Sequence, residues 1–383
     1  MCAQNLAMRR PFKLIGPAFL SITLFAACSV EEPRIVPQDL FVKYDTMRVS
    51  VEAYVNGEGK FINGEWQEHW GDGALFGPLY DLTTHLHDSN ETQYSRALLA
   101  LDANRERVLA AAPNLSANLD DLETLSMSTL SLIEAGAFVD DAEQYRLAAD
   151  EMLIGLESLA ELYKDYLDID AGEFAANTYG PTALTAFLAT VYIAYAQNYP
   201  DHNQAYYIER AMAVLDRIYD KVWDNERRIY RFAPGDERLM LYPNITVMAA
   251  LARVYQLTGE SRFWTRFKET YSGIQALKDD DGDHYHSPYS KESMGATDDD
   301  YTTHSSQNYL MLGLLVAYQV SGDHAYLEEI DTLLGFLDKR LLVGEQILHH
   351  WIDGRAAAEP DPYIYCLGCN VQTLFILYQL ALL

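Results

Sequence analysis

Apolar residues recur at helical spacing over almost the whole chain from Gln38 onward, a period near 3.6 that predicts a helical protein. A first amphipathic stretch covers 38–54. The segments after it fall into pairs: 74–86 with 92–109, 122–135 with 142–166, 181–199 with 204–223, 244–258 with 262–277, and 305–320 with 325–342. A last segment, 370–383, has no following partner. In each pair the first member is the more apolar, and Val247-Met248-Ala249-Ala250-Leu251-Ala252 is hydrophobic nearly all round, the mark of a helix with little exposed surface. The second is one-sided, as in Glu328-Glu329-Ile330-Asp331-Thr332-Leu333-Leu334.

The pairs repeat. Tyr255-Gln256-Leu257-Thr258-Gly259 returns as Tyr318-Gln319-Val320-Ser321-Gly322, with looser copies at Tyr195-Ala196-Gln197 and Tyr378-Gln379, at intervals of 60, 63 and 60 residues. That period fits a helical hairpin plus a loop. First members form an inner ring and second members an outer one. The unpaired segments at the two ends supply what each other lacks, which predicts a closed all-α toroid of about six hairpins rather than an open solenoid with polar caps. Links within a hairpin are short, such as Thr258-Gly259-Glu260-Ser261. Links between hairpins are long and carry short strand-like pieces, such as Ile229-Tyr230-Arg231-Phe232 and His349-His350-Trp351. All long loops therefore fall at one end, where the inner helices begin and where sites on rigid scaffolds sit.

Ahead of the toroid domain, 38–383, the chain carries an address. Arg9, Arg10 and Lys13 precede an apolar stretch, 14–25, too short to span a bilayer as a mature helix. Residues 1–27 are thus expected to be a signal peptide and 28–37 a tether. Phe25-Ala26-Ala27-Cys28-Ser29 resembles a bacterial lipobox, with Phe25 where Leu is usual. The resemblance implies lipidation of Cys28, and Ser29 implies the outer membrane of the cell envelope. Plain secretion is the alternative. The 383-residue chain is 49% hydrophobic with a net charge of −28, so ample core material comes with a surface that repels nucleic acid and anionic lipid. A monomer that meets the membrane only through its anchor is expected.

The ring, the alternating loop lengths and the strand pieces look like the six-hairpin (α/α)6 glycosidase-like superfamily, which holds glycoside hydrolases, uronic-acid lyases and sugar epimerases. The likeness is architectural and covers 38–383; the Thr-Tyr-Asn-Gln-Gly string of the bacterial endo-α-1,6-mannanases is absent. It implies a carbohydrate ligand, and fold alone does not choose the reaction.

Glycoside hydrolysis needs one protonated and one ionised carboxyl across a cleft. Thr297-Asp298-Asp299-Asp300-Tyr301-Thr302-Thr303-His304 directly precedes an inner helix and nominates Asp299 or Asp300 as base, with His304 and Tyr301 beside them. The bland alternative is a solvated acidic turn capped by Thr303 or Ser305. Glu65-Trp66-Gln67-Glu68-His69-Trp70-Gly71-Asp72 nominates Glu68 or Asp72 as acid. Trp66, Trp70 and Trp351 sit in long loops, where tryptophan faces stack on sugars, and Tyr179 and Tyr242 occupy equivalent loop ends.

Two further clusters have other chemistry. Asp279, Asp281 and Asp283 surround Gly282 in a pattern that could take calcium, but it is not the EF-hand pattern; a solvated turn is the favoured reading and no cofactor is expected. Cys366-Leu367-Gly368-Cys369 suits a small structural disulfide, a zinc site with His349 and His350, or a redox pair. Three functions follow: an acid/base enzyme on poly- or oligosaccharide, a silent glycan- or protein-binding lipoprotein on the same scaffold, and a metal- or thiol-dependent enzyme.

Overall fold

The computed structural model describes residues 91–115, 119–136, 142–168, 180–236, 240–287, 302–343, 346–348, 350–352, 355–356, 367–381 and 383. Among them run α1 (Glu91–Ala111), α2 (Leu119–Gly136), α3 (Ala142–Leu162), α4 (Gly180–Asn198), α5 (Gln204–Val222), α6 (Leu241–Thr258), α7 (Ser261–Ile274), α8 (His304–Ser321), α9 (Ala325–Phe336) and α10 (Leu367–Ala381). The expected helices at 38–54 and 74–86, the signal peptide and the tether lie outside the described residues.

Inner and outer roles follow from the apolar pattern. Every residue of α4 from Gly180 to Gln197 is buried, so no face of it meets water. Its outer partner α5 buries Ala211, Val214, Leu215, Ile218 and Val222, one stripe at steps of three and four. The α7 stripe is Phe263, Phe267, Thr270 and Ile274. Each fully buried large apolar side chain contributes roughly 1.5–3 kcal/mol. Inner helices pack side by side in the order α2, α4, α6, α8, α10, and α3, α5, α7 and α9 each lie on the inner helix before them in sequence.

The repeated Tyr-Gln-x-x-Gly string is a helix stop. Gly259 and Gly322 take left-handed backbone, φ 71° and 68°, and donate their N–H groups to the Tyr255 and Tyr318 carbonyls at 2.8 and 2.7 Å. Glycine adopts that conformation without the Cβ penalty.

A second repeat fixes the long loops. Near the start of α6, Asn244 accepts from Tyr230 N–H (2.6 Å) and donates to the Tyr230 carbonyl (3.0 Å). Gln307 does the same to Tyr285 (3.2 and 3.0 Å), and Asn370 to Ile347 (3.0 and 2.9 Å). These three carboxamides are spaced 63 residues apart. Each satisfies both backbone groups of a buried loop residue, which otherwise carry a desolvation penalty. The strand pieces are β1 (Trp223–Asp224) with β2 (Ile229–Tyr230), β4 (Leu342–Val343) with β5 (Gln346–Ile347), and the order β3 (Thr302–Thr303), β6 (His350–Ile352), β7 (Arg355–Ala356). All stand on outer-to-inner connections.

Side chains fill the middle of the arc. Phe187 of α4, Tyr242 of α6 and Tyr309 of α8 form an aromatic triangle with centroids 5.3–6.2 Å apart. The Tyr309 hydroxyl lies 3.7 Å from Met127 Sδ of α2. Since α2 and α8 are three steps apart along the arc, that contact crosses the interior and shows how tightly the helices curve.

Candidate functional site

The end where the inner helices begin holds the long loops, and most of their first turns are occupied in anchoring those loops. Thr182 of α4 takes the Phe232 carbonyl with its N–H (3.3 Å) and the Arg231 carbonyl with its hydroxyl (2.8 Å). Asn244, Gln307 and Asn370 serve the other loops. Thr303 caps α8: its Oγ1 accepts from Ser306 N–H at 3.1 Å, so the acidic run ends in a hydrogen-bonded helix start.

Strand β3 begins two residues after Asp300 and pairs with β6, Thr302 opposite Trp351 and Thr303 opposite His350. The backbone of Trp351 is thereby joined to the segment that follows Asp299 and Asp300. Asp299, Asp300, Tyr301, Glu68, Asp72, Trp66, Trp70 and Tyr179 lie outside the described residues, as do Cys28 and Cys366. Cys369 is disulfide-bonded and is buried in the first turn of α10.

Two expected site residues have other places. His304 is fully buried between α8 and α10. Thr373 donates to Asn308 Oδ1 (2.9 Å), which leaves the Thr373 oxygen to accept from His304 Nε2–H (2.7 Å). Burial pushes the imidazole down to about 3, so it is neutral at ordinary pH. A neutral, enclosed ring held in a helix–helix seam is a packing element, not a proton donor at a mouth. Tyr242, expected to stack on ligand, is buried in the central triangle, and its ring faces Phe187 and Tyr309.

The acidic turn after α7 is also rearranged. Asp281 is exposed, and its carboxylate shares the Arg340 guanidinium (3.3 Å) with that of Asp283 (3.5 Å), a cation already in place between the two carboxylates. Asp279 instead groups with His284 and His286, one ligand atom from each lying within 4.8 Å of the others. Two imidazoles and one carboxylate are not the six to eight oxygens that calcium takes. The sequence pointed to the aspartates because their spacing was visible; the histidines alternate two residues apart, a strand signal that only the hairpin register turns into a cluster.

One acidic pair escaped the sequence reading. Asp120 and Asp121 lie in the first turn of α2, an inner helix that begins at the same end as α8. Two consecutive carboxylates opening an inner helix were the available signal.

No protein-family model matches this chain, and no curated protein matches it. Solved structures do. The α-1,6-mannanase GH76A of Salegentibacter sp. HEL1_6 is 14% identical, with a TM-score of 0.62 over 90% of this chain and 99% of that one; another structure of it is an inactive variant, two consecutive aspartates replaced, in complex with α-1,6-mannotriose. A sugar epimerase from a ruminal bacterium matches at 11% identity and TM-score 0.64, covering 90% and 98%. A glycosyl hydrolase family 88 protein of Bacteroides vulgatus matches at 12% and 0.57, covering 91% and 99%. The chain shares the (α/α)6 toroid fold of these structures, and the likeness is one of fold.

Proposed function

We propose that the protein acts on carbohydrate by carboxylate acid/base chemistry at the long-loop end, on a poly- or oligosaccharide. One observation carries this reading. Asp120–Asp121 open α2, Asp298–Asp300 precede α8 in the sequence, and these two helices meet across the interior through Met127 and Tyr309. Asp120 is seven residues and His304 five residues before that contact, about 10 and 8 Å along each helix at 1.5 Å per residue. The acid and the base are assigned to these two segments, with the aromatic triangle as the floor between the helices that follow them. Opposed carboxyls at such a site supply the protonated and ionised partners that glycosidic cleavage requires.

Asp299 or Asp300 is assigned the base and one of Asp120, Asp121, Glu68 and Asp72 the acid, with Trp66, Trp70, Tyr301 and Trp351 as the stacking surface. The inactive mannanase variant with two consecutive aspartates replaced supports giving such pairs the chemistry. Asp120→Asn, Asp121→Asn, Asp299→Asn and Asp300→Asn are to be assayed on α-linked manno-oligosaccharides, unsaturated uronides and free hexoses. A loss of ~10²- to 10⁴-fold in at least one variant from each segment, with the fold intact, is expected. Binding without turnover in the wild type would leave the silent-scaffold reading in its place.

The same proposal puts the protein in the cell envelope as a monomer, lipidated at Cys28, with Cys366 as the disulfide partner of Cys369. No described helix is long and apolar enough to cross a membrane. Cys28→Ala should release the protein from the membrane fraction, and retention there would remove the anchor from the account.

A further inference from the structure

The hairpin that follows α7 gathers three side chains whose chemistry no part of the carbohydrate reading uses. Lys278 and Tyr285 form an antiparallel bridge, Asp279 N–H donates to the His284 carbonyl (3.0 Å), and His286 N–H donates to the Leu277 carbonyl (2.7 Å). The turn closes through Gly282, which donates to the Asp279 carbonyl (2.9 Å) from φ 73°, a conformation suited to glycine. In this register Asp279 stands opposite His284, and His286 is two residues further on the same strand. Directly opposed residues and residues two apart share a face, so all three side chains come to one side.

That face is covered. The His284 side chain is only 4% exposed and its ring stacks on Phe336 of α9, with centroids 4.3 Å apart. His286 meets His284 edge-on at 5.2 Å. The Asp279 carboxylate reaches both rings: Oδ1 is 3.5 Å from His286 Nε2 and Oδ2 is 3.9 Å from His284 Nδ1. Donors bound at 2.0–2.2 Å around a tetrahedral ion stand roughly 3.4 Å apart; the Asp279–His286 separation is already close to that, and one donor atom from each of the three side chains lies within 4.8 Å of the others. Asp283 supplies the outer partner. Its carboxylate accepts from His284 Nδ1–H at 2.7 Å, which fixes the tautomer and leaves the Nε2 lone pair buried without a hydrogen-bond partner. A carboxylate that orients a ligating imidazole from its far nitrogen is a recurring support of zinc sites.

We infer that Asp279, His284 and His286 bind a divalent transition-metal ion of the zinc class. Two imidazoles and a carboxylate select such an ion over calcium or magnesium, which take oxygen donors. The site lies against an outer helix, so its role is structural. It ties the hairpin to α9 alongside Lys278–Glu329 (2.7 Å) and Tyr285–Glu329 (2.9 Å). The same hairpin begins the connection that carries Asp298, Asp299 and Asp300.

The test uses the purified full chain, stripped of metal with a chelator and then dialysed. Zinc uptake is read by elemental analysis and by titration calorimetry, and thermal melts are recorded with zinc, cobalt and calcium. One equivalent of zinc, a melting temperature raised by zinc and cobalt but not by calcium, and loss of that equivalent in Asp279→Asn and His286→Gln are expected. Cys366→Ser/Cys369→Ser keeps the equivalent if the ion sits here. His286 is partly exposed, so His286→Gln folds even if His284→Gln does not. No stoichiometric uptake, or uptake undiminished in both Asp279→Asn and His286→Gln, overturns the inference. Neither readout depends on catalysis, so this result and the carbohydrate assay can fail separately.

Discussion

Glu134 near the end of α2 and Arg253 near the end of α6 meet at 3.0 Å, although α4 lies between their helices in the arc. Both side chains are largely enclosed, so the pair closes the interior toward the short-loop end while the aromatic triangle closes it toward the other. Removing one partner of an enclosed ion pair leaves an uncompensated charge, whereas replacing both with apolar groups is often neutral. Arg253→Met should therefore destabilise by about 3 kcal/mol. The double variant Glu134→Leu/Arg253→Met should recover most of that loss in chemical denaturation. Additive losses in the two single variants and the double would show that the pair has no coupling of its own.

Asn244 makes three hydrogen bonds through one side chain, to both backbone groups of Tyr230 and to the Met240 carbonyl (2.8 Å). Truncation to alanine strands three buried backbone groups, each at about 1–3 kcal/mol. Asn244→Ala should lose at least ~3 kcal/mol, and Asn244→Asp, which sets a buried carboxylate against the Tyr230 and Met240 carbonyls, should lose at least as much at neutral pH. An Asn244→Ala protein as stable as the wild type in chemical denaturation would show that the clamp contributes nothing.

How much of this was visible beforehand depended on the range of the interaction. The hairpin pattern came from local apolar periodicity, and helix ends expected from sequence agree with the structure to a few residues. The segment expected at 181–199 is α4, Gly180–Asn198, and that expected at 204–223 is α5, Gln204–Val222. Where they differ, the cause is local too. Helix α6 starts at Leu241 rather than Asn244 because Pro243 is tolerated in a first turn, where its missing N–H has no partner to lose. The segment expected to run to Tyr166 stops at Leu162, since Lys164, Asp165 and Tyr166 all take left-handed backbone.

The site was less legible because its groups are placed by long-range pairing. His304 follows an acidic run in sequence and reads as a catalytic neighbour; its enclosure is created by Thr373, 69 residues away. Asp279 reads as one of a row of aspartates until the hairpin register brings His284 and His286 to it. The carboxamides Asn244, Gln307 and Asn370 keep a strict 63-residue interval, yet nothing in one sequence marks an amide as a loop clamp rather than a solvated polar group.

Two glycines separate conformational from steric cost. Gly259 holds a left-handed φ with open space around the missing Cβ, so Gly259→Ala should cost about 1–2 kcal/mol, the left-handed penalty alone. Gly273, inside α7, has ordinary backbone, but a Cβ there would lie inside the contact distance of the Arg228 carbonyl oxygen in the β1–β2 turn. A rigid backbone atom cannot step aside, so Gly273→Ala should lose more stability than Gly259→Ala despite alanine's better helix propensity. Thermal melts of the two variants order them, and the reverse order would refute the close approach of α7 to that turn.

The enclosed imidazole of His304 makes a prediction about acid stability whose sign can be worked out. Its folded-state value, about 3, lies below the ordinary 6.5. Between those values the unfolded chain takes up a proton that the folded chain refuses, so protonation favours unfolding. The contribution is intact above pH 6.5 and is lost progressively as the pH falls from 6.5 toward 3, amounting to roughly 5 kcal/mol at about 1.4 kcal/mol per pH unit. His304→Asn retains a donor for Thr373 and cannot titrate. The wild type should be the more stable at pH 7.5, because asparagine fills less of the seam between α8 and α10. The difference should shrink steadily by pH 4.5, as the wild type alone bears the cost of refusing the proton. Denaturant midpoints measured at half-unit steps across that window decide it. Parallel curves for the two proteins would mean that His304 takes up its proton in the folded state and is accessible to solvent, which would restore it as a candidate for proton transfer.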